Sequence, residues 1–262
     1  MVKYLALGPG AMGYFTYLGV LTKLKQTGRL DELEEISGAS AGGLLAFVFA
    51  LAKGDTTKVL DFTLTVPIKQ MMKPSIKSLL KEWGLISNSK LHNAFSDMTE
   101  KFTGKRSMTF KELYDWFPVK IHVASYCVNT SKTVYFSVDS TPGMNVVDAV
   151  CATIAIPFII SSAKLNDGWH YIDGAVAESV PGGPFLARVR EDVLVVAFGW
   201  GQAPEIKDMK SYAMALITTQ MRSRATYDFP ILNVDSGQLD IYDFSLGQEQ
   251  KLKLFMKGLA SQ

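Results

Sequence analysis

The sequence predicts an α/β fold, with a mostly parallel sheet covered by helices on both faces. Three observations carry this reading. Short apolar runs alternate with stretches of helical length along the chain, the pattern of strand-helix-strand units. The first two runs each end in a glycine-rich break, at residues 8–13 and 38–42, and a helical pattern opens directly after each. The apolar runs are near-continuous, as in strands buried from both sides, and 48% of the chain is hydrophobic.

Residues 3–7 form the first buried strand, ending in Gly8-Pro9-Gly10. Residues 14–26 follow as a helix, with Phe15, Leu18, Leu21 and Leu24 spaced at three and Gly28 as its stop. Residues 34–37 are a second strand, and 41–52 a buried helix closed by Gly54. The stretch 55–117 is mostly helical and interrupts the alternation, so it is read as an insert; Thr109 followed by Glu112 is a capping box within it. Residues 119–128 and 133–138 read as a hairpin, and 146–154 as a helix ended by Pro157. Residues 162–165 and 169–172 flank Asn166-Asp167-Gly168, a strong turn signal. A buried strand at 193–198, a helix at 207–221, a late strand at 238–244 and a helix at 247–259 complete the pattern. No repeat, low-complexity tract or linker divides the chain, and residues 1–262 are read as one domain.

Lys and Arg number 27 against 25 Asp and Glu, a net charge of +2, which lacks the basic excess of a dedicated nucleic-acid binder. Cys127 and Cys151 are too few for a disulfide framework or a cysteine-rich zinc site, and a reducing compartment is expected. The N-terminal apolar run is too short for the core of a signal peptide. The apolar stretch 39–52 falls short of the ~20 residues that span a bilayer. The expectation is a soluble protein, cytoplasmic or peripheral to membranes.

Gly38-Ala39-Ser40-Ala41-Gly42 is a Gly-x-Ser-x-Gly between a strand and a helix, the context of a nucleophile elbow. The bare pattern is common; its placement gives it weight. The helix dipole and free amides at that terminus favour an anion forming beside the serine oxygen. A serine nucleophile needs a base. The three histidines are His92, His122 and His170, and none follows residue 170, where a Ser-His-Asp hydrolase of this type carries its own. A carboxylate acting directly becomes the candidate. Asp173-Gly174-Ala175 directly follows the 169–172 strand, and Tyr171, Ile172 and Val176 around it suggest burial, which raises a carboxyl pKa toward that of a useful base. Alone, it would equally be an ordinary Asp-Gly turn.

The Gly8-Pro9-Gly10-Ala11-Met12-Gly13 loop has two readings, an oxyanion hole or a dinucleotide fingerprint. The fingerprint expects an acid at the end of the second strand. Glu34 and Glu35 instead begin that strand, and Gly-Ala-Ser ends it, which favours the oxyanion hole.

With these three motifs in this order, the chain resembles the patatin-like phospholipases, serine lipid acyl hydrolases with a Ser-Asp dyad. The resemblance covers nearly the whole chain and extends to residues 152–157, 171–176 and Val180-Pro181. It implies a three-layer patatin-like fold, Ser40 as nucleophile and Asp173 as its partner. Gly38, Gly42, Gly174 and Ala175 complete the motifs. Gly8, Gly10, Ala11, Met12, Gly13 and Ala41 form the implied oxyanion region. Two departures stand out: the family loop often has glycine at Pro9 and a basic residue at Met12. Proline has no N–H, so donation falls to Gly10, Ala11 and Ala41. The implied substrate is a phospholipid or other acyl lipid at a membrane surface, with no metal or organic cofactor. A catalytically weak lipid-binding or scaffold protein is the alternative that Pro9 and Met12 motivate. Within the insert, Ile68, Met71, Met72, Ile76, Leu79 and Leu80 lie beside Lys69, Lys73, Lys77 and Lys81, a stripe suited to a lid at a lipid boundary or to ordinary core packing.

Overall fold

The computed structural model describes residues 1–176, 178–199, 206–207, 211–212, 215, 227–237 and 239–261. Its sheet grows from β1 (Tyr4–Leu7), buried along its whole length. β2 (Glu35–Ala39) and β9 (Val193–Phe198) pair with β1 on either side. β4 (Lys120–Cys127) lies beyond β2 and β10 (Ile231–Val234) beyond β9, all of them parallel. Past β4 the polarity reverses. β5 (Lys132–Phe136) and β8 (His170–Asp173) run antiparallel to β4, and β7 (Ala163–Lys164) antiparallel to β8. β3 (Gly84–Ile86) and β6 (Phe158–Ile160) form a separate parallel pair.

α1 (Tyr14–Gln26) spans the predicted residues, and Gly28 beyond it takes φ +70°, a stop that glycine accepts without strain. α2 (Ala41–Leu51) is buried at every position but Leu44, which explains its all-round apolar sequence. The predicted insert resolves into α3 (Thr56–Thr65), α4 (Ile68–Met71), α5 (Ile76–Glu82), α6 (Asn88–Thr103) and α7 (Phe110–Trp116), with β3 between α5 and α6. Pro67 and Pro74 break it, because proline neither donates to a helix nor fits behind one. The Thr109–Glu112 capping box forms as expected. α8 (Val146–Thr153) and α9 (Gln248–Ala260) match their predicted ranges closely.

Two expectations change. Of the late strand expected at 238–244, residues 239–244 form turns: Asp240 and Asp243 accept from the N–H groups of Tyr242 and Ser245, each at 2.9 Å, and these local bonds replace a ladder. The strand of that region is β10 instead. The helix expected at 207–221 lies largely outside the described residues.

The sheet brings two distant parts of the chain together through β4. At Val123 and Ala124, β4 pairs with β2 and β5 at once; at Ser125 it pairs with β5 and β8. β2 and β8 therefore share the edge opposite β5. β2 leaves that edge after Ala39, opposite Ala124, and β8 arrives from the other direction and ends at Asp173, opposite Ser125.

Candidate active site

Ser40 leaves the end of β2 with φ 53° and ψ −121°, a backbone state that non-glycine residues rarely hold. The surrounding chain imposes it. A Cβ on Gly42 would lie 2.1 Å from the Leu7 carbonyl oxygen, and one on Gly38 2.4 Å from the Gly42 backbone, so only bare backbone fits this turn. The Ser40 N–H donates to the Thr153 hydroxyl at 2.8 Å, and that hydroxyl donates to the Ala124 carbonyl. Two residues on, the Ala155 carbonyl accepts the Asp173 N–H at 3.0 Å. The end of α8 thus fixes the backbone of both residues.

The Ser40 hydroxyl donates to Asp173 Oδ2 at 2.7 Å, and the Ala175 N–H to Asp173 Oδ1 at 2.8 Å. Asp173 is 2% exposed. Burial pushes its carboxyl up to about 7, and the bonds from Ser40 and Ala175 offset only part of that rise. A Cβ on Gly174 would sit 2.3 Å from the Ala124 carbonyl oxygen, so the chain after Asp173 also passes too close for a side chain.

The glycine-rich loop divides into two groups. The Gly8 N–H donates to Val196, that of Met12 to Ile241, both at 2.9 Å, and that of Gly13 to Gly10 at 2.7 Å. These three amides hold the loop in place and leave nothing for an oxyanion, which narrows the predicted set. The Pro9 carbonyl accepts the Tyr17 hydroxyl at 2.8 Å. The N–H groups of Gly10, Ala11 and Ala41 have no partner among the described residues.

The histidines are engaged elsewhere. His122 Nε2 meets Glu35 at 2.7 Å, with Arg188 on the same carboxylate; His92 meets Asp148 at 2.9 Å, and His170 Nδ1 meets Ser162 at 2.9 Å.

Ser40 opens onto a cavity of about 150 Å³ lined also by Ala11, Met12, Ala41, Leu44, Val48, Leu91, Phe95 and Met98. Ile68, Met71 and Met72 close it from the insert, and Ile156, Ile160 and Phe244 from the opposite side. Ala41, Leu44 and Val48 form one stripe of α2, leading about 10 Å from the serine at 1.5 Å per residue. Such a lining suits an acyl chain, because a polar group inside it would lose its water without replacement.

A family model described as patatin-like phospholipase matches residues 5–186. The chain belongs to the patatin-like phospholipase family. It is 24% identical over 184 residues to "Probable lipid hydrolase 463L" of Invertebrate iridescent virus 6, a match covering 68% of this chain and 61% of that protein. The crystal structure of VipD from Legionella pneumophila superposes with a TM-score of 0.63 at 16% identity, covering 99% of this chain and 66% of that one. The type III effector ExoU, known from Pseudomonas aeruginosa, gives a TM-score of 0.55 at 14% identity, covering 99% of this chain and 52% of ExoU. These likenesses show the patatin-like α/β fold, and this chain spans about half to two-thirds of each of those proteins.

Within this patatin-like site, sequence reasoning gave Thr153 no role. It lies in the 152–157 stretch that resembles the family, but its bond to Ser40 joins residues 113 positions apart and leaves no local signal. Ile241 and Phe244 were likewise hidden, because their segment was read as a strand. Among the described residues no helix is long and apolar enough to cross a membrane.

Proposed function

We propose that the protein hydrolyses fatty acyl esters of phospholipids at a membrane surface, with Ser40 as nucleophile and Asp173 as its direct base. The observation that carries this reading is the buried 2.7 Å hydrogen bond from the Ser40 hydroxyl to the Asp173 carboxylate, with no histidine between them. Ser40 Oγ attacks the acyl carbon while its proton passes to Asp173. The tetrahedral oxyanion sits against the N–H groups of Gly10, Ala11 and Ala41, where one donor is typically worth about 3–4 kcal/mol. Collapse breaks the ester C–O bond, and Asp173 returns its proton to the leaving alkoxide. Water then gives a proton to Asp173 and attacks the acyl-enzyme. The fatty acid departs, and the proton returns to Ser40.

The apolar cavity supports the acyl assignment, since it offers the ester's chain a dry path from the serine. Mass spectrometry of products from mixed phospholipid vesicles tests the reading. Free fatty acid and lysolipid are expected from the wild type and neither from Ser40→Ala. Equal products from both proteins would reject the assignment.

A further inference from the structure

Residues 66–83 carry Lys69, Lys73, Lys77 and Lys81 at a strict spacing of four, against one acid, Glu82. That leaves +3 in this stretch, more than the +2 of the entire chain. None of the four lysine ammonium groups has an ion-pair or hydrogen-bond partner among the described residues. Elsewhere Lys58, Lys105, Lys111, Lys120 and Lys253 meet carboxylates, whereas Lys90, Lys132 and Lys164 stand alone among the described residues but scattered. The Glu82 carboxylate is itself occupied by the Ser87 and Ser161 hydroxyls.

Large apolar side chains stand among these lysines. Ile76 is 74% exposed and Leu80 77%, one turn apart on one face of α5, and Trp83, 65% exposed, directly follows the helix. Gly84, next to Trp83, pairs with Phe158, itself 63% exposed, which brings β6 beside that end of α5. The surface borders the cavity on both sides. Met71 and Met72, just before Lys73, line it, as do Ile156 and Ile160 on either side of Phe158.

We propose that this face docks the protein on an anionic lipid bilayer, with Ile76, Leu80, Trp83 and Phe158 entering the lipid boundary and the four lysines meeting headgroup phosphates and carboxylates. Exposed apolar side chains rimmed by unpaired cations fit such a boundary. A second copy of the chain fits poorly, because it would set four unpaired lysines against four more. The proposal rests on the acyl-hydrolase reading for the reason the chain visits a bilayer, and binding is therefore measured with Ser40→Ala, which removes turnover.

The experiment is co-sedimentation of Ser40→Ala with vesicles of phosphatidylcholine alone and of phosphatidylcholine mixed with phosphatidylserine. The mixed vesicles should bind more tightly, and high salt should erase the difference. Lys77→Gln with Lys81→Gln should weaken binding to them by about 25-fold, at about fivefold per lysine. Ile76→Ser with Leu80→Ser should weaken binding to both compositions by about tenfold or more. In the Ser40 background, the same variants should keep the wild-type rate on a soluble short-chain ester while losing hydrolysis of vesicles. Unchanged vesicle binding by both double variants, or equal binding to the two compositions, would overturn the docking face. Absence of vesicle binding together with a dimer broken by Ile76→Ser and Leu80→Ser would assign the face to a second copy, and also overturn it. Soluble-ester hydrolysis that survives in Ser40→Ala would instead reject the acyl-hydrolase reading, while the sedimentation result still judges the surface.

Discussion

The Thr153 hydroxyl accepts the main-chain N–H of Ser40 at 2.8 Å and donates to the Ala124 carbonyl, standing where the β2–β4 ladder has just ended. A side chain thus replaces one rung of backbone pairing, at the residue whose φ of 53° most needs support. It also occupies the N–H of the proposed nucleophile, so in the proposed mechanism the oxyanion falls to Gly10, Ala11 and Ala41.

Thr153→Val keeps the shape and removes the hydroxyl. It is expected to lower kcat by about 10- to 100-fold with little change in KM, because the attack geometry loosens while the acyl cavity is untouched. Thr153→Ser should restore most of the rate. The variant also leaves two buried groups unpaired, at about 1–3 kcal/mol each, so its urea midpoint should fall. Steady-state kinetics on a soluble ester, beside urea unfolding, checks both effects.

Ser40→Ala and Asp173→Asn should each remove hydrolysis with the fold retained, since nucleophile and base act as a unit. Single substitutions of His92, His122 and His170 should leave turnover of a soluble ester largely intact. His122 is the strictest case, because it is buried against Glu35 and its loss will show in stability. A His variant as inactive as Ser40→Ala, yet folded by circular dichroism, would reject the dyad.

The pH dependence follows from Asp173, whose carboxyl is raised from 3.8 to about 7 by burial. As base it must be ionised, so kcat/KM should rise with pH and level off above about 7. Stability runs the opposite way. Below about 3.8 the carboxyl is protonated in both folded and unfolded states and carries no penalty; as pH climbs to about 7 the unfolded chain ionises first, and folding loses stability. Asp173→Asn should therefore stabilise the protein at pH 8 by about 4 kcal/mol relative to its effect at pH 4. Urea unfolding at the two pH values measures this.

Gly42→Ala forces a methyl to within 2.1 Å of the Leu7 carbonyl oxygen and should cost about 3 kcal/mol or more, read as a lowered urea midpoint. Pro9→Gly should leave turnover near wild type, since position 9 supplies a carbonyl to Tyr17 and no N–H to the site. A large gain in rate with glycine there would mark the natural loop as an impaired hole.

Met71→Glu with Met72→Glu places carboxylates at the wall of the acyl cavity. The expected result is a fall in kcat/KM for long-chain esters, with acetyl esters much less affected. Equal losses for both substrates would place the acyl chain elsewhere.

The elements near the candidate site were legible because their signals are local. β2, the Gly-x-Ser-x-Gly turn and α2 are contiguous, and α1 shows its period without interruption. Distance in the chain hid the rest. The Thr153 hydroxyl acts across the fold, and which loop amides stay free depends on partners such as Ile241 and Val196 that no motif names. The stripe in the insert was read as one face, but Pro74 breaks it: Ile68, Met71 and Met72 turn inward to the cavity, whereas Ile76 and Leu80 turn out to solvent. Leu239, Ile241, Tyr242 and Phe244 give residues 239–244 the apolar content of a strand, but Asp240 and Asp243 among them each accept the N–H two residues on.

The meeting of β2 and β8 on one edge of β4 separates the spacing of Ser40 and Asp173 from the length of the chain between them. Ala39 is fixed opposite Ala124 and Asp173 opposite Ser125, so residues inserted at the 128–131 bend or the 166–168 turn would swell a loop without parting the pair. One residue added between Ala124 and Ser125 would move the aspartate a full step away from the serine. Extra length at those two loops leaves the pair together, whereas extra length within β4 between its two partners parts them.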